Sequence, residues 1–232
     1  MPIHWSYMPL PGAGGQMALR RATSELFQTG HFHNQVQVVA VFEGWRSFAT
    51  PCGTIRAEAG DILVIPSGMF HAPRMSDRSS VLILFVDNDH PVAQGIHQPF
   101  VIDGNGARRV EDIFDRVAAW SVRAAVPEQL QISSTLTKLV TQHDVSIAEV
   151  AEQFGYSPDG FIRSFCRSVG TTPGNYRLAH RLTVARSMIH QCGSLADIAF
   201  AAGFADQSHL GRCFLRAFGT TPAAYRAGLA TP

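Results

Sequence analysis

The chain has 232 residues, nineteen basic and eighteen acidic side chains and an ordinary apolar share of 46%. That size holds one large domain or two small ones, and the charge balance gives no bulk signal for a nucleic-acid binder. No run approaches the roughly 18 apolar residues of a membrane-spanning helix, and Met1 to Arg20 lacks the basic start and compact apolar core of a secretion signal. A cytoplasmic protein with no membrane partner is expected.

Cys52, Cys166, Cys192 and Cys213 have no metal-like spacing and read as small buried hydrophobes in a reducing compartment. Arginine outnumbers lysine eighteen to one, so any DNA contact must come from locally placed arginines. Along the chain, Pro11-Gly12-Ala13-Gly14-Gly15 comes first. It has no strand before it and no Gly-Lys-Ser/Thr after it, and reads as a flexible leader rather than a phosphate loop.

Strands follow. Val36 to Phe42 and Val81 to Val86 are rich in β-branched and large apolar residues, and Ile62 to Ile65 follows the turn signal Gly60-Asp61. Turns at Pro51-Cys52-Gly53 and Pro66-Ser67-Gly68 complete the pattern of a small all-β barrel or sandwich. His31, His33, Gln35 and Gln37 alternate on one face of a presumed strand, with Phe32, Val36, Val38 and Ala40 on the other. Such a period of two makes the polar face wet or the lining of a cavity. A second cluster, Gly60 to His71, places another histidine just after a strand and turn. His90 and His97 lie in a Pro/Gly/Asp-rich stretch and carry little weight, and Trp45 at a strand end reads as packing.

From about Arg108 the period changes. Val110, Ile113, Phe114, Val117 and Trp120 form one stripe of a helix extending to about Ala124. This is too much apolar surface for a free linker, so the helix packs on the barrel or pairs with its copy in a homodimer. Everything after Pro127 reads as helices with short turns. Ile132, Leu136, Leu139 and Val140 mark an opening helix, and Ser146 with Glu149 forms a capping box for the next, whose core side is Ile147, Val150, Ala151 and Phe154. Gly155 then breaks the chain before a helix that starts at Ser157-Pro158, buries Phe161, Phe165 and Val169, and exposes Asp159, Gly160, Ile162, Arg163, Cys166 and Arg167.

This unit occurs twice. Phe161, Arg163, Phe165, Gly170, Pro173, Tyr176 and Arg177 recur 49 positions later as Leu210, Arg212, Phe214, Gly219, Pro222, Tyr225 and Arg226, while the break glycines Gly155 and Gly203 are 48 apart. The second copy has Ser194 and Asp197 as its capping box, and its outer face carries Gln207, Ser208, His209, Gly211, Arg212 and Arg216. Between the copies, Pro173 starts a connecting helix with Tyr176, Leu178, Leu182, Ala185, Met188 and Ile189 as apolar contacts. Its length of about 25 Å, at ~1.5 Å per residue, fits two readers placed in successive major grooves whose turns repeat at about 34–36 Å. The stripes alone fit an all-helical protein-binding adaptor as well as a DNA reader.

Both units resemble the paired helix-turn-helix of the AraC/XylS family of bacterial transcription regulators. The second does so through Ile198-Ala199, Gly203-Phe204, Asp206 to Leu210, Arg212, Phe214, Arg216, Phe218-Gly219, Thr221-Pro222 and Tyr225-Arg226. The resemblance covers roughly Leu130 to Arg226 and implies that Asp159, Gly160, Ile162, Arg163 and Arg167, with Gln207, Ser208, His209, Gly211, Arg212 and Arg216, face a double-stranded operator. It implies a transcription regulator, activator or repressor, and not an enzyme, with a homodimeric assembly and RNA polymerase as a candidate contact. Gly160 and Ile162 stand where many relatives have longer polar side chains, so base reading by the first unit is expected to be sparse.

The N-terminal segments resemble the two cupin motifs: His31, His33, Gln37 and Gly44 in the first, and Gly60, Pro66, Gly68 and His71 in the second. A cupin barrel is the usual sensor lobe of the regulator family. The implied layout is an all-β cupin-like sensor at 1–102, a linker and dimerisation helix at 103–127, and an all-α double helix-turn-helix domain at 128–232. Two readings of the barrel stay open. In one, His31, His33 and His71 hold zinc, iron or another borderline divalent ion, although Gln37 replaces the glutamate of metal-binding cupins and cannot neutralise it. In the other, His31, His33, Gln35, Gln37 and His71 line an effector pocket through hydrogen bonds. A metal-dependent cupin enzyme is the remaining alternative, with no nucleophile, acid and base set to support it.

Overall fold

The computed structural model describes residues 4–10, 15–22, 28–121, 140–142, 145–189 and 193–230. The predicted helix stripe Ile132, Leu136 and Leu139, residues 11–14 of the predicted leader, the last part of the predicted linker and Cys192 lie outside the described residues; a strand, His4–Pro9, does precede that leader, and its last residue, Gly15, opens the strand paired with it.

The N-terminal half consists, among the described residues, of two antiparallel sheets. The larger contains β1 (His4–Pro9), β2 (Gly15–Ala22), β3 (Val36–Glu43), β6 (Asp61–Ile65), β8 (Ser79–Val86) and β9 (Phe100–Asp103), in the order β1-β2-β8-β3-β6-β9. The smaller pairs β4 (Trp45–Thr50) with β5 (Gly53–Glu58) and β7 (Ala72–Met75), in the order β5-β4-β7. The Pro51-Cys52-Gly53 turn closes the β4–β5 hairpin, with the Thr50 hydroxyl donating to the Gly53 carbonyl at 2.7 Å.

β3 is central, bonded to β8 on one side and β6 on the other, and residues Val36 to Val41 are buried on both faces. Val39 and Val41 pack inward with Phe48, Leu63, Ile65, Ile83 and Phe85. Val36, Val38 and Ala40 pack outward under α1 (Val110–Ser121) through Ile113 and Val117. Neither side of this strand is wet, because the outer side is covered by a helix rather than by solvent. Full burial of Ile113 and Val117 stabilises this contact by roughly 1.5–3 kcal/mol each. Trp120 stacks on Phe100, ring centroids 3.5 Å apart, at the far end of the same helix. The apolar stripe of α1 is thus used by the barrel.

The C-terminal half is helical. In the first unit α2 (Ile147–Gln153) begins with the Ser146/Glu149 capping box and α3 (Pro158–Val169) with Ser157 accepting from the Gly160 amide. The connecting helix α4 (Pro173–Met188) starts from the Thr172 cap. In the second unit α5 (Leu195–Ala201) has the Ser194/Asp197 box, α6 (Gln207–Phe218) is capped by Asp206, and α7 (Pro222–Leu229) by Thr221. Gly155 and Gly203 turn the two units at φ of +71° and +79°, where a side chain would be strained.

The repeated arginines Arg177 and Arg226 have matching structural roles. Arg177 donates to the Val140 and Val145 carbonyls at 2.7 and 2.8 Å, and Arg226 to the Gly193 carbonyl at 3.0 Å. Each ties a helix after its reader to backbone carbonyls of the chain that enters its unit.

The two halves share a core. The inward barrel residues belong to one continuous apolar cluster with Leu182, Ala185 and Ile189 of the connecting helix and its cap and with Phe214, Phe218 and Tyr225 of the second unit. Polar contacts fix the docking: the Thr183 hydroxyl donates to the Phe32 carbonyl at 2.9 Å, Gln28 to the Ala217 carbonyl at 3.0 Å, and the Thr29 amide to the Arg216 carbonyl at 3.0 Å.

Candidate functional site

The histidines converge beneath this seam. His31 and His71 are joined by a two-way backbone bridge, each amide bonding the other's carbonyl at 3.0 and 2.9 Å. One potential ligand nitrogen from each of His31, His33 and His71 lies within 4.8 Å of the others, and all three residues are buried. Residues 31–35 are not a regular strand; β3 begins at Val36, and a bend at Asn34 and Gln35 intervenes. That bend breaks the expected alternation. Gln35 turns away from the cluster and donates to the Asp87 carboxylate at 2.7 Å. Gln37 is buried opposite Phe85, whose ring meets His33 at 4.8 Å, and the Gln37 Oε1 has no hydrogen-bond partner among the described residues.

Tautomers follow from the partners. Nδ1 of His31 lies 2.8 Å from the Thr29 carbonyl, and Nδ1 of His71 lies 2.8 Å from the Met69 carbonyl. A carbonyl only accepts, so both Nδ1 atoms carry the proton and both Nε2 atoms present lone pairs. His33 is the opposite. Its Nδ1 faces Nη1 of Arg186 at 2.5 Å, and a guanidinium only donates, so the neutral His33 proton sits on Nε2.

Arg186 is the residue that apolar periodicity did not bring forward. It lies on α4 between Leu182 and Ile189, at the four-and-three spacing of the buried stripe, and that spacing was its one sequence signal. Its Nε donates to the Tyr225 hydroxyl at 3.0 Å and its Nη2 to Gln16 Oε1 at 3.2 Å. Its guanidinium also lies over the Phe85 ring at 4.0 Å. Every one of these partners is neutral. Tyr225 completes the network by donating to Gln16.

Burial holds the three imidazoles in their neutral form. It pushes His31 and His33 well below the usual histidine range, with the His71 and Arg186 charges respectively adding to the effect. For His71 burial lowers the value to about 4, against the raising effect of the Met69 carbonyl and with help from Arg46.

The metal reading of the three histidines can be tested atom by atom against the donor set. His31 and His71 fit: each offers Nε2 with Nδ1 anchored on a carbonyl, the arrangement that orients metal-bound histidines. The buried Nε2 of His71 has no hydrogen-bond partner among the described residues, which is what an open ligand position looks like. His33 fits only when Arg186 is disengaged. Zinc or iron held by the three imidazoles would supply Lewis-acid or redox chemistry, and Gln37 would add an oxygen without charge.

The second candidate site is the outer face of the two reader helices. On α3, Asp159, Arg163 and Arg167 are exposed and Gly160 and Ile162 half-buried. On α6, Gln207, Ser208, Arg212 and Arg216 are exposed, while Gly211 and His209 are half-buried, His209 edge-on to Phe204 at 5.3 Å. The barrel approaches the C-terminal ends of both helices, through Pro51 beside Gly170 and Thr29 on Arg216, and leaves Arg163 and Arg212 exposed.

Comparison with known proteins agrees with this architecture. A family model described as a helix-turn-helix domain matches residues 150–228. The transcriptional regulator YbfI of Bacillus subtilis is 29% identical over 104 residues, and the transcriptional activator RhaS of Escherichia fergusonii is 36% identical over 85. These matches cover 44% and 36% of this chain but only 38% of YbfI and 31% of RhaS. ToxT of Vibrio cholerae, solved with an unsaturated fatty acid bound, superposes over 100% of this chain and 99% of its own with a TM-score of 0.61 at 12% identity. Residues 150–228 are therefore a helix-turn-helix domain. The whole chain has the ToxT layout of a β-rich, cupin-like lobe followed by that domain.

Proposed function

We propose that the chain is a sequence-specific DNA-binding transcription regulator whose activity is set by a small effector in the N-terminal lobe. The observation that carries this reading is the duplicated unit itself: two capped helices with Arg163 and Arg212 at equivalent, exposed positions. Helix-turn-helix units insert such a second helix into the major groove, where arginine reads guanine edges. Regulators among its relatives, YbfI and RhaS, support the reading. A bound fatty acid in ToxT supports an effector role for the β-rich lobe.

In this reading residues 1–102 sense, 103–127 link and 128–232 bind the operator. His31, His33, Gln37 and His71 line the effector site, and the protein acts in the cytoplasm without turning over a substrate. A homodimer and contact with RNA polymerase belong to the same proposal. The dimer interface lies elsewhere than the Ile113–Val117 stripe, which the barrel buries. Selection of genomic fragments by the full chain, followed by footprinting, tests the proposal. Enrichment of one operator class supports it; equal retention of all fragments, or of none, overturns it in favour of a protein-binding adaptor.

A further inference from the structure

We propose that Arg186 and a divalent transition-metal ion are alternative cations for one histidine cage, so that metal binding and docking of the connecting helix exclude each other. The exclusion itself rests on the cage geometry; its regulatory consequence rests on the regulator reading above.

Proton counting carries the argument. A neutral imidazole has one proton and one lone pair, and in His33 the lone pair is on Nδ1, engaged by Arg186. If a metal takes His33 through Nδ1, it claims the same lone pair. If it takes Nε2, the proton must move to Nδ1, which then opposes a guanidinium N–H with an N–H of its own. Either way the Arg186 to His33 bond is lost. His31 and His71 impose no such conflict, because their Nδ1 protons are bound to carbonyls and their Nε2 lone pairs are available.

The remaining groups favour a cation in this place. Gln37 Oε1 and His71 Nε2 are buried lone pairs with no hydrogen-bond partner among the described residues and would repel an anion, while the equally unpartnered Nε2 of His33 carries a proton that must move to Nδ1 before a cation can use that nitrogen. Arg186 is held by neutral acceptors alone: His33, Gln16 and Tyr225. Among the described residues no carboxylate fixes it there. A metal at the cage removes one of its three hydrogen bonds and sets a like charge beside it.

The consequence reaches the DNA-binding half because of where Arg186 sits. It is three residues after Thr183, which bonds the Phe32 carbonyl, and it bonds Tyr225 of the last helix. Releasing it loosens the seam that joins the second reader unit to the barrel. By linkage, docking of Arg186 weakens metal binding by the same factor by which bound metal weakens that docking.

The test uses the full chain stripped with a chelator and titrated with cobalt(II), followed by visible absorption and calorimetry. Arg186→Met is expected to bind cobalt(II) about 5- to 150-fold more tightly than the wild type, and His71→Ala to abolish binding in both backgrounds. Equal affinity of the wild type and Arg186→Met, or no binding by either at millimolar cobalt(II), overturns the proposal. A measurement on the wild type alone removes any dependence on how the variant folds. Amide exchange at residues 183–189 should rise when cobalt(II) binds, and unchanged protection with the metal bound contradicts the exclusion. No DNA enters these experiments, so their failure leaves the regulator reading intact. Failure to select DNA would remove only the regulatory consequence.

Discussion

The Tyr225 hydroxyl accepts a 3.0 Å hydrogen bond from Nε of Arg186 and donates to Gln16 of the barrel, so one phenol joins the last helix, the connecting helix and a strand 209 residues away in sequence. Tyr225 is fully buried and packs edge-on against Tyr7, ring centroids 4.8 Å apart. Tyr225→Phe keeps the packing and deletes the hydroxyl. It should destabilise the chain by about 1–3 kcal/mol, because a buried charged donor loses its acceptor. Urea unfolding measures this, and an unchanged midpoint would show that the network contributes nothing.

The reader arginines should behave in the opposite way. Arg212 is exposed, so Arg212→Ala should leave the unfolding midpoint within about 0.5 kcal/mol of the wild type. Binding to the selected operator should fall about tenfold or more, with one base position relaxed, as a bidentate contact is worth ~1–3 kcal/mol. Equal losses on operator and random duplex would assign Arg212 to phosphate instead.

Arg177 separates stability from recognition within the repeat. Arg177→Ala frees the Val140 and Val145 carbonyls and should cost about 1–3 kcal/mol. Arg177→Lys should rescue only part of this, since one ammonium cannot reproduce the guanidinium fork. Wild-type stability of Arg177→Ala in thermal unfolding would remove this role from the repeated arginine.

These contrasts show what the sequence could and could not reveal. Caps at Ser146, Ser157 and Ser194 were legible because a cap is decided by residues within three positions of it. The central strands were legible from their apolar runs, and the three histidines from the two cupin-like segments. Gln35 was misplaced because a bend at Asn34 and Gln35, invisible to a period-two count, rotates it toward Asp87. Arg186 escaped for a different reason. Its meaning comes from a contact with His33 across 153 positions, and its place on the Leu182 and Ile189 stripe, the one local signal, says that it is buried but not what it meets.

Acid should unlock the metal-free protein. The folded imidazoles stay neutral, His71 with a value lowered to about 4, whereas unfolded histidine takes a proton below about 6.5. The unfolded state therefore binds more protons between these values. Stability is complete above about 6.5 and falls with falling pH by about 1.4 kcal/mol per unit for each such histidine. Urea midpoints at several pH values check this, and His71→Gln should flatten the slope. A midpoint independent of pH across the window would contradict neutral burial.

The central claim is that two capped, arginine-bearing helices read DNA, and the most direct measurement is binding of the full chain to its selected operator against a scrambled duplex of equal length, across a range of salt. The account predicts tighter binding to the operator by a factor of about 10³ or more, surviving as salt weakens both. Equal affinity for the two duplexes at every salt concentration would contradict it.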